Sequence, residues 1–171
     1  MNRFVVTLVA LAGIVPAVSP CMARADEKSE QSALAAALKG TKVTLEDGLK
    51  ASEREGTPIS AKFEIADGKL ELSVYTTQGG GFTEVVVDPK TGAIAEAEKI
   101  TDPEDLDAAA KQKAAVDKAT VSLLAATETA VKAHGGYRAV SSFPEMAAGH
   151  PTAEVTLLQG QSFKKVAEKL G

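Results

Sequence analysis

The sequence predicts an α+β protein made of two tandem units, each a helix packed on a three- to four-stranded antiparallel meander sheet. Three observations lead there. Residues 59–76 alternate apolar and polar side chains on either side of an Asp-Gly pair, as two half-buried strands joined by a tight turn do. A punctuated amphipathic helix precedes them and another alternating segment follows. The same order of helix, strand, strand and third segment then recurs in the second half.

The chain opens with MNRFVVTLVALAGIVPAVSPCMARA. A positive start at Arg3, an apolar core from Phe4 to Val18 and small residues at Ala23 and Ala25 make the three-part layout of a secretory signal over residues 1–25. Cleavage is expected between Ala25 and Asp26. Pro16 interrupts the apolar run, which at about 15 residues is shorter than the ~20 that span a bilayer. The expectation is therefore a periplasmic or secreted protein with no membrane attachment after cleavage. Cys21 is the only cysteine, and Pro20 directly before it fits a lipidation site poorly. Once the signal is removed no cysteine remains, so neither a disulfide nor thiol chemistry is available.

Of 171 residues, 146 then remain, and the net charge goes from −4 to −6 because Arg3 and Arg24 leave with the signal. A length of that order suits one domain or two small ones with a real core. A mildly acidic chain has no electrostatic pull toward phosphate backbones, which argues against nucleic acid as a partner. With no Trp and few aromatic residues, a base- or sugar-stacking site is not expected either.

Residues 26–40 are expected to be a flexible mature N-terminus, with one or two helical turns in the alanine-rich second half, stopped by Gly40. A first domain follows over residues 41–100. Thr44 and Asp47 form the two ends of a capping box, Glu46 and Asp47 suit the positive end of the helix dipole, and Leu45, Leu49 and Ser52 share one face. Gly56 is placed to end this helix. In 59–66, Ile59, Ala61, Phe63 and Ile65 alternate with Lys62 and Glu64; Asp67-Gly68 makes the hairpin; in 69–76, Leu70, Leu72 and Val74 share a face. Loop 78–81 leads to a strand over 82–88, the turn PKTG (89–92), and a short last strand from 93.

Residues 101–171 are expected to hold a linker helix and a second domain. Thr101 or Asp102 caps the helix, Pro103 takes its first position, and the alanine-rich stretch reaches His134 as one helix or as two, with Ser122 a second start. Strands are expected at 137–143 and 153–158, with PEMAAGHP (144–151) as a loop. Residues 162–170 fit helical spacing, and the repeat argues for a strand instead. In that repeat Val43-Thr44-Leu45 matches Val121-Ser122-Leu123, and Phe82 with Val85 matches Phe163 with Val166, although the second copy lacks the Asp-Gly and PKTG turns.

The string Glu84-Val85-Val86-Val87-Asp88-Pro89-Lys90-Thr91-Gly92-Ala93-Ile94 resembles the closing strand and turn of the PepSY domain family. Val87, Asp88, Thr91 and Gly92 carry that resemblance, and the helix and hairpin before them sit at the expected distances. The likeness covers 43–94; the second half resembles a divergent copy without the turn signature. The resemblance implies a helix-and-meander fold, an extracytoplasmic location and no catalysis. Some relatives form part of secreted peptidase propeptides and are thought to restrain the enzyme; others are implicated in metal binding.

The residues themselves offer little chemistry. His134 and His150 are the only histidines, and neither has a nucleophile or metal-ligand neighbours at useful spacing. His134 suits a helix C-terminus. Asp102, Glu104, Asp105 and Asp107 could offer oxygens to calcium or a lanthanide, but their spacing is not that of a calcium-binding loop, and helix capping explains the same residues. Gly79-Gly80-Gly81 precedes a strand, not the helix of a phosphate-binding loop. No cofactor and no catalytic residue is therefore expected. What remains is surface: an open meander has edge strands able to pair with an extended protein or peptide, and Tyr75, on the face opposite Leu72 and Val74, either adds an exposed aromatic contact or packs under a loop. The export reading predicts that the secreted form begins at Asp26; an intact-mass measurement that finds residues 1–25 retained would refute it.

Overall fold

The computed structural model describes residues 20–171, with side chains from Glu27 onward. The first helix, α1, runs Pro20–Ala37. It occupies a segment for which the sequence predicts flexibility over 26–40 and helix only toward its end. The expected cleavage point falls within the range of α1, and the apolar part of the expected signal lies outside the described residues.

Helix α2 (Leu45–Ser52) forms as its punctuation dictates. Thr44 accepts from the Asp47 amide at 3.1 Å, and the Asp47 carboxylate accepts from the Thr44 amide at 2.9 Å, closing the capping box. Leu45, Leu49 and Ser52 are buried together with Gly48. Any side chain at Gly48 would collide with the Leu72 side chain, so this glycine sets how closely the helix rides on the sheet. Strands β1 (Thr57–Ala66), β2 (Lys69–Gln78), β3 (Gly81–Val87) and β4 (Ile94–Lys99) follow as a meander. The long alanine-rich stretch is two helices, α3 (Pro103–Val116) and α4 (Leu123–Ala133), the second capped by Ser122. Strands β5 (Arg138–Ala147), β6 (His150–Gln159) and β7 (Ser162–Lys169) complete the chain.

Two expectations need correction. The loop expected at 144–151 is instead the end of β5, a two-residue turn at Ala148-Gly149 and the start of β6. Ala148 (φ 49°) and Gly149 (φ 84°) repeat the left-handed geometry of Asp67 (φ 49°) and Gly68 (φ 74°). An alanine there gives no turn signal, because it lacks the short polar side chain that usually supports this conformation. The second correction concerns the sheets. The two meanders hydrogen-bond into one seven-stranded antiparallel sheet, in the order β4-β3-β2-β1-β5-β6-β7. They meet where β1 pairs with β5, with Ala61 opposite Ser142 and Lys62 opposite Ser141.

One face of the sheet is apolar and is covered by α1, α2 and α4. Leu45, Leu49, Phe63, Leu72, Val85 and Val155 belong to that core. The other face is crossed by α3, which returns the chain from the β4 edge. Its core is small: Ile59, Tyr75 and Ala109, flanked by Phe82, Ile100 and Val116.

Arg138 fastens the N-terminal segment. Its guanidinium donates to the carbonyls of Thr41 (2.9 Å), Val43 (2.7 Å) and Leu38 (3.5 Å), and its Cζ lies 5.4 Å from the centre of the Phe63 ring. Replacing it takes the donor from the part-buried Thr41 and Val43 carbonyls, and a desolvated carbonyl left without a donor costs more than the bond itself contributes. Arg138→Met is expected to lower the unfolding free energy by about 2–4 kcal/mol, read from urea denaturation; a loss within ±0.5 kcal/mol, typical of an unspecialised surface site, would refute this role.

Candidate functional site

The α3 face of the sheet holds most of the perturbed ionisable groups. The pleat of β1, β2 and β3 puts Lys62, Tyr75 and Glu84 on this side, because Lys62 pairs with Ser73, Tyr75 with Glu84, and the alternate residues Ala61, Phe63, Val74 and Val85 point into the apolar core. Helix α3 presents Asp105, Ala109, Gln112 and Ala115. Small and polar residues thus carry the contact where large apolar ones would be usual.

Tyr75 is buried, which rules out the exposed contact and leaves the packed alternative, under a helix rather than a loop, and its hydroxyl interacts with the Asp105 carboxylate. The phase was right, since Tyr75 does lie opposite Leu72 and Val74; what covers it is α3. Burial, then the nearby Glu84, Asp105 and Glu64 charges, hold the phenol firmly protonated. Burial likewise raises the pKa of Glu84, against the lowering effect of the Ser73 hydroxyl. Asp105 is raised by burial and by the Asp102 charge. Lys62 and Glu64 form an ion pair at 2.7 Å beside them. A cavity of about 20 Å³, room for about one water molecule, lies among Ser60, Lys62, Ser73, Tyr75, Asp105 and Gln112. The Gln112 side-chain oxygen is buried there without a hydrogen-bond partner in the protein.

The carboxylates considered for a cation do different jobs. Asp102 caps α3, accepting from the amides of Glu104 (2.9 Å) and Asp105 (3.4 Å). Glu104 is exposed in the first turn, Asp105 faces Tyr75, and Asp107 pairs with Lys111 at 2.6 Å. Among the described residues no cluster of three or more His, Cys, Asp or Glu side chains could hold a metal ion. His134 caps the end of α4, its Nδ1 2.9 Å from the Ala130 carbonyl oxygen, and His150 is exposed at the start of β6.

The turn that carries the family resemblance is built for shape. Val87 is fully buried, and the Asp88 carboxylate accepts from the amides of Lys90 and Thr91, both at 2.8 Å, which pulls its pKa below the ordinary aspartate value. Gly92 (φ 73°) donates to the Asp88 carbonyl at 2.8 Å and closes the turn.

Two other surfaces stand out. A groove of about 590 Å³ runs along one end of the sheet between Pro58, Gln78, Val116, Leu123 and Leu124, with Glu53 the one ionisable side chain at its margin. The sheet also ends in two edge strands, β4 and β7. In β4 every residue from Ala95 to Lys99 is exposed. Sequence reasoning missed Lys62, Glu84 and Gln112. Strand phase alone could have placed Lys62 and Glu84 beside Tyr75; nothing in the sequence said that α3 would cross that face.

The raised pKa values set a sign for pH dependence. Asp105 and Glu84 keep their protons to higher pH in the fold than when unfolded, so their ionisation opposes folding. That cost is absent below their ordinary values of 3.8 and 4.5 and complete once pH has passed the raised ones. Asp88 acts the other way, contributing stability that acid removes, so the contrast between variant and parent is what counts. Asp105→Asn should become more stable relative to the parent as pH rises from about 4 to about 7, read as the difference in urea midpoints; a constant difference would refute the assignment.

No protein-family model matches the chain, and no curated protein or solved structure does either.

Proposed function

We propose that this chain is an exported, non-catalytic binding module of the PepSY type, made from two copies of one helix-and-meander unit sharing a sheet. Several features support the duplication. Helices α2 and α4 each start on a hydroxyl cap, Thr44 and Ser122, that accepts from the amide three residues on. The first is followed by four antiparallel strands and the second by three, and the first hairpin of each set turns through two residues of matching left-handed geometry. In this reading the mature protein works in the periplasm or outside the cell. A secreted peptidase, held or restrained, is the partner class that the family resemblance suggests.

The observation that carries the reading is the free edge at β4. An edge strand offers a row of unpaired main-chain donors and acceptors to any extended segment laid beside it. Here the strand is exposed along nearly its whole length and carries Glu96 and Glu98 on the side away from the main core, opposite Val86 and Glu84 of β3. Those carboxylates suit an extended segment with basic residues at alternate positions. Calcium or lanthanide binding through Asp102, Glu104, Asp105 and Asp107 is the weaker reading, because capping, ion pairing and the contact with Tyr75 already employ three of the four.

A photo-reactive side chain at Ala97 is expected to cross-link an extracytoplasmic protein, and Glu96→Lys with Glu98→Lys is expected to suppress the adduct. Equal labelling from a probe at the exposed Gly149 turn, or an adduct indifferent to the charge reversal, would refute the proposal.

A further inference from the structure

We infer that β7 is a self-association edge, on which a second copy of this chain adds its own β7 antiparallel about a two-fold axis at Val166. This inference stands apart from the function proposed above, because it uses the opposite end of the sheet.

Charge register selects this pairing. Along β7, Lys164, Val166 and Glu168 lie opposite Leu157, Val155 and Ala153 of β6, and so share the face of the main core. Lys164 is exposed and Glu168 is half-buried; neither makes an ion pair within the subunit among the described residues. They are four residues apart in an extended strand, about 13 Å, too far to meet each other. In an antiparallel pairing centred on Val166 the residue two places before the axis faces the residue two places after it. Lys164 of one copy therefore meets Glu168 of the other, and the symmetry makes this pair twice. Val166, half-buried at the rim of the core, meets its own counterpart and extends the apolar layer across the axis. On the opposite face Lys165 falls across from Ala167, and Lys165 is already held by Glu154 at 2.8 Å within its own subunit.

The other pairings are worse. Two β4 strands centred on Ala97 set Glu96 against Glu98 of the partner copy twice, and like charges directly opposite are destabilising. A β4–β7 contact between copies joins unlike surfaces and gives a ring or an open fibre, never a two-fold dimer. The β7 pairing is isologous and closed, and it yields a dimer with one continuous sheet and a free β4 at each end.

Sedimentation of the exported protein at low salt tests this. A dimer is expected. Lys164→Glu and Glu168→Lys should each weaken it about tenfold or more, since each turns two attractions into two repulsions. The double variant should restore it, as the pairs are rebuilt with signs exchanged. Cooperative urea transitions, with midpoints compared at concentrations where every variant is monomeric, would show that all of them fold. A parent that stays monomeric at high concentration, single variants that remain dimeric, higher oligomers growing with concentration, or a double variant no better than the singles would each overturn the inference.

Discussion

The architecture depends on the short seam between β1 and β5. Each meander alone would carry a single helix and an uncovered strip of apolar side chains, too little buried surface for a unit of some 55 residues to stand well alone. Joined at Ala61–Ser142 and Lys62–Ser141, the two strips become one core that three helices cover together. The seam also brings a polar group into that core. Ser142 is fully buried, and its hydroxyl lies 2.9 Å from that of Thr127 on α4, which itself donates to the Leu123 carbonyl at 2.8 Å. A buried hydroxyl needs such a partner, so the pair ties the position of α4 to the register of the seam.

The two faces of the sheet follow different chemistry. One is closed by leucine, valine and phenylalanine, which carry no titratable group, so their burial does not depend on pH. The other is closed by a helix whose inward residues are aspartate, glutamine and alanine, over a tyrosine, a lysine and a glutamate. Hydrophobic burial there is slight, so the hold of α3 on the sheet rests on Ile59, Tyr75 and the polar groups around Asp105. That is the part of the molecule whose stability is most exposed to solution conditions.

Local structure was legible wherever residues signal through their own backbone. Thr44 and Asp47 announced α2, Ser122 announced α4, and alternation around Asp67-Gly68 announced β1 and β2, because caps, turns and strand phase are decided within a few residues. The repeat argued for strand over 162–170 against its helical spacing, and β7 is there. Long-range relations were not legible. A turn through Ala148 carries no polar signature. The fusion of two sheets into one depends on which strand edges meet, and the site under α3 depends on a crossing that no local pattern encodes. Tyr75 shows the boundary well: its phase could be read from the strand, its burial could not.

Arg138 holds the approach to α2 through main-chain oxygens alone. The guanidinium finds carbonyls at Leu38, Thr41 and Val43 and an aromatic face beneath it, with no carboxylate in the clamp. Recognition of that kind reads the path of a backbone and ignores the identity of its side chains. Exposed linker positions such as Lys39 and Lys42 are thus free to drift in sequence so long as the chain keeps its course, while Leu38 and Val43, buried in the main core, and the arginine that reads their carbonyls are not.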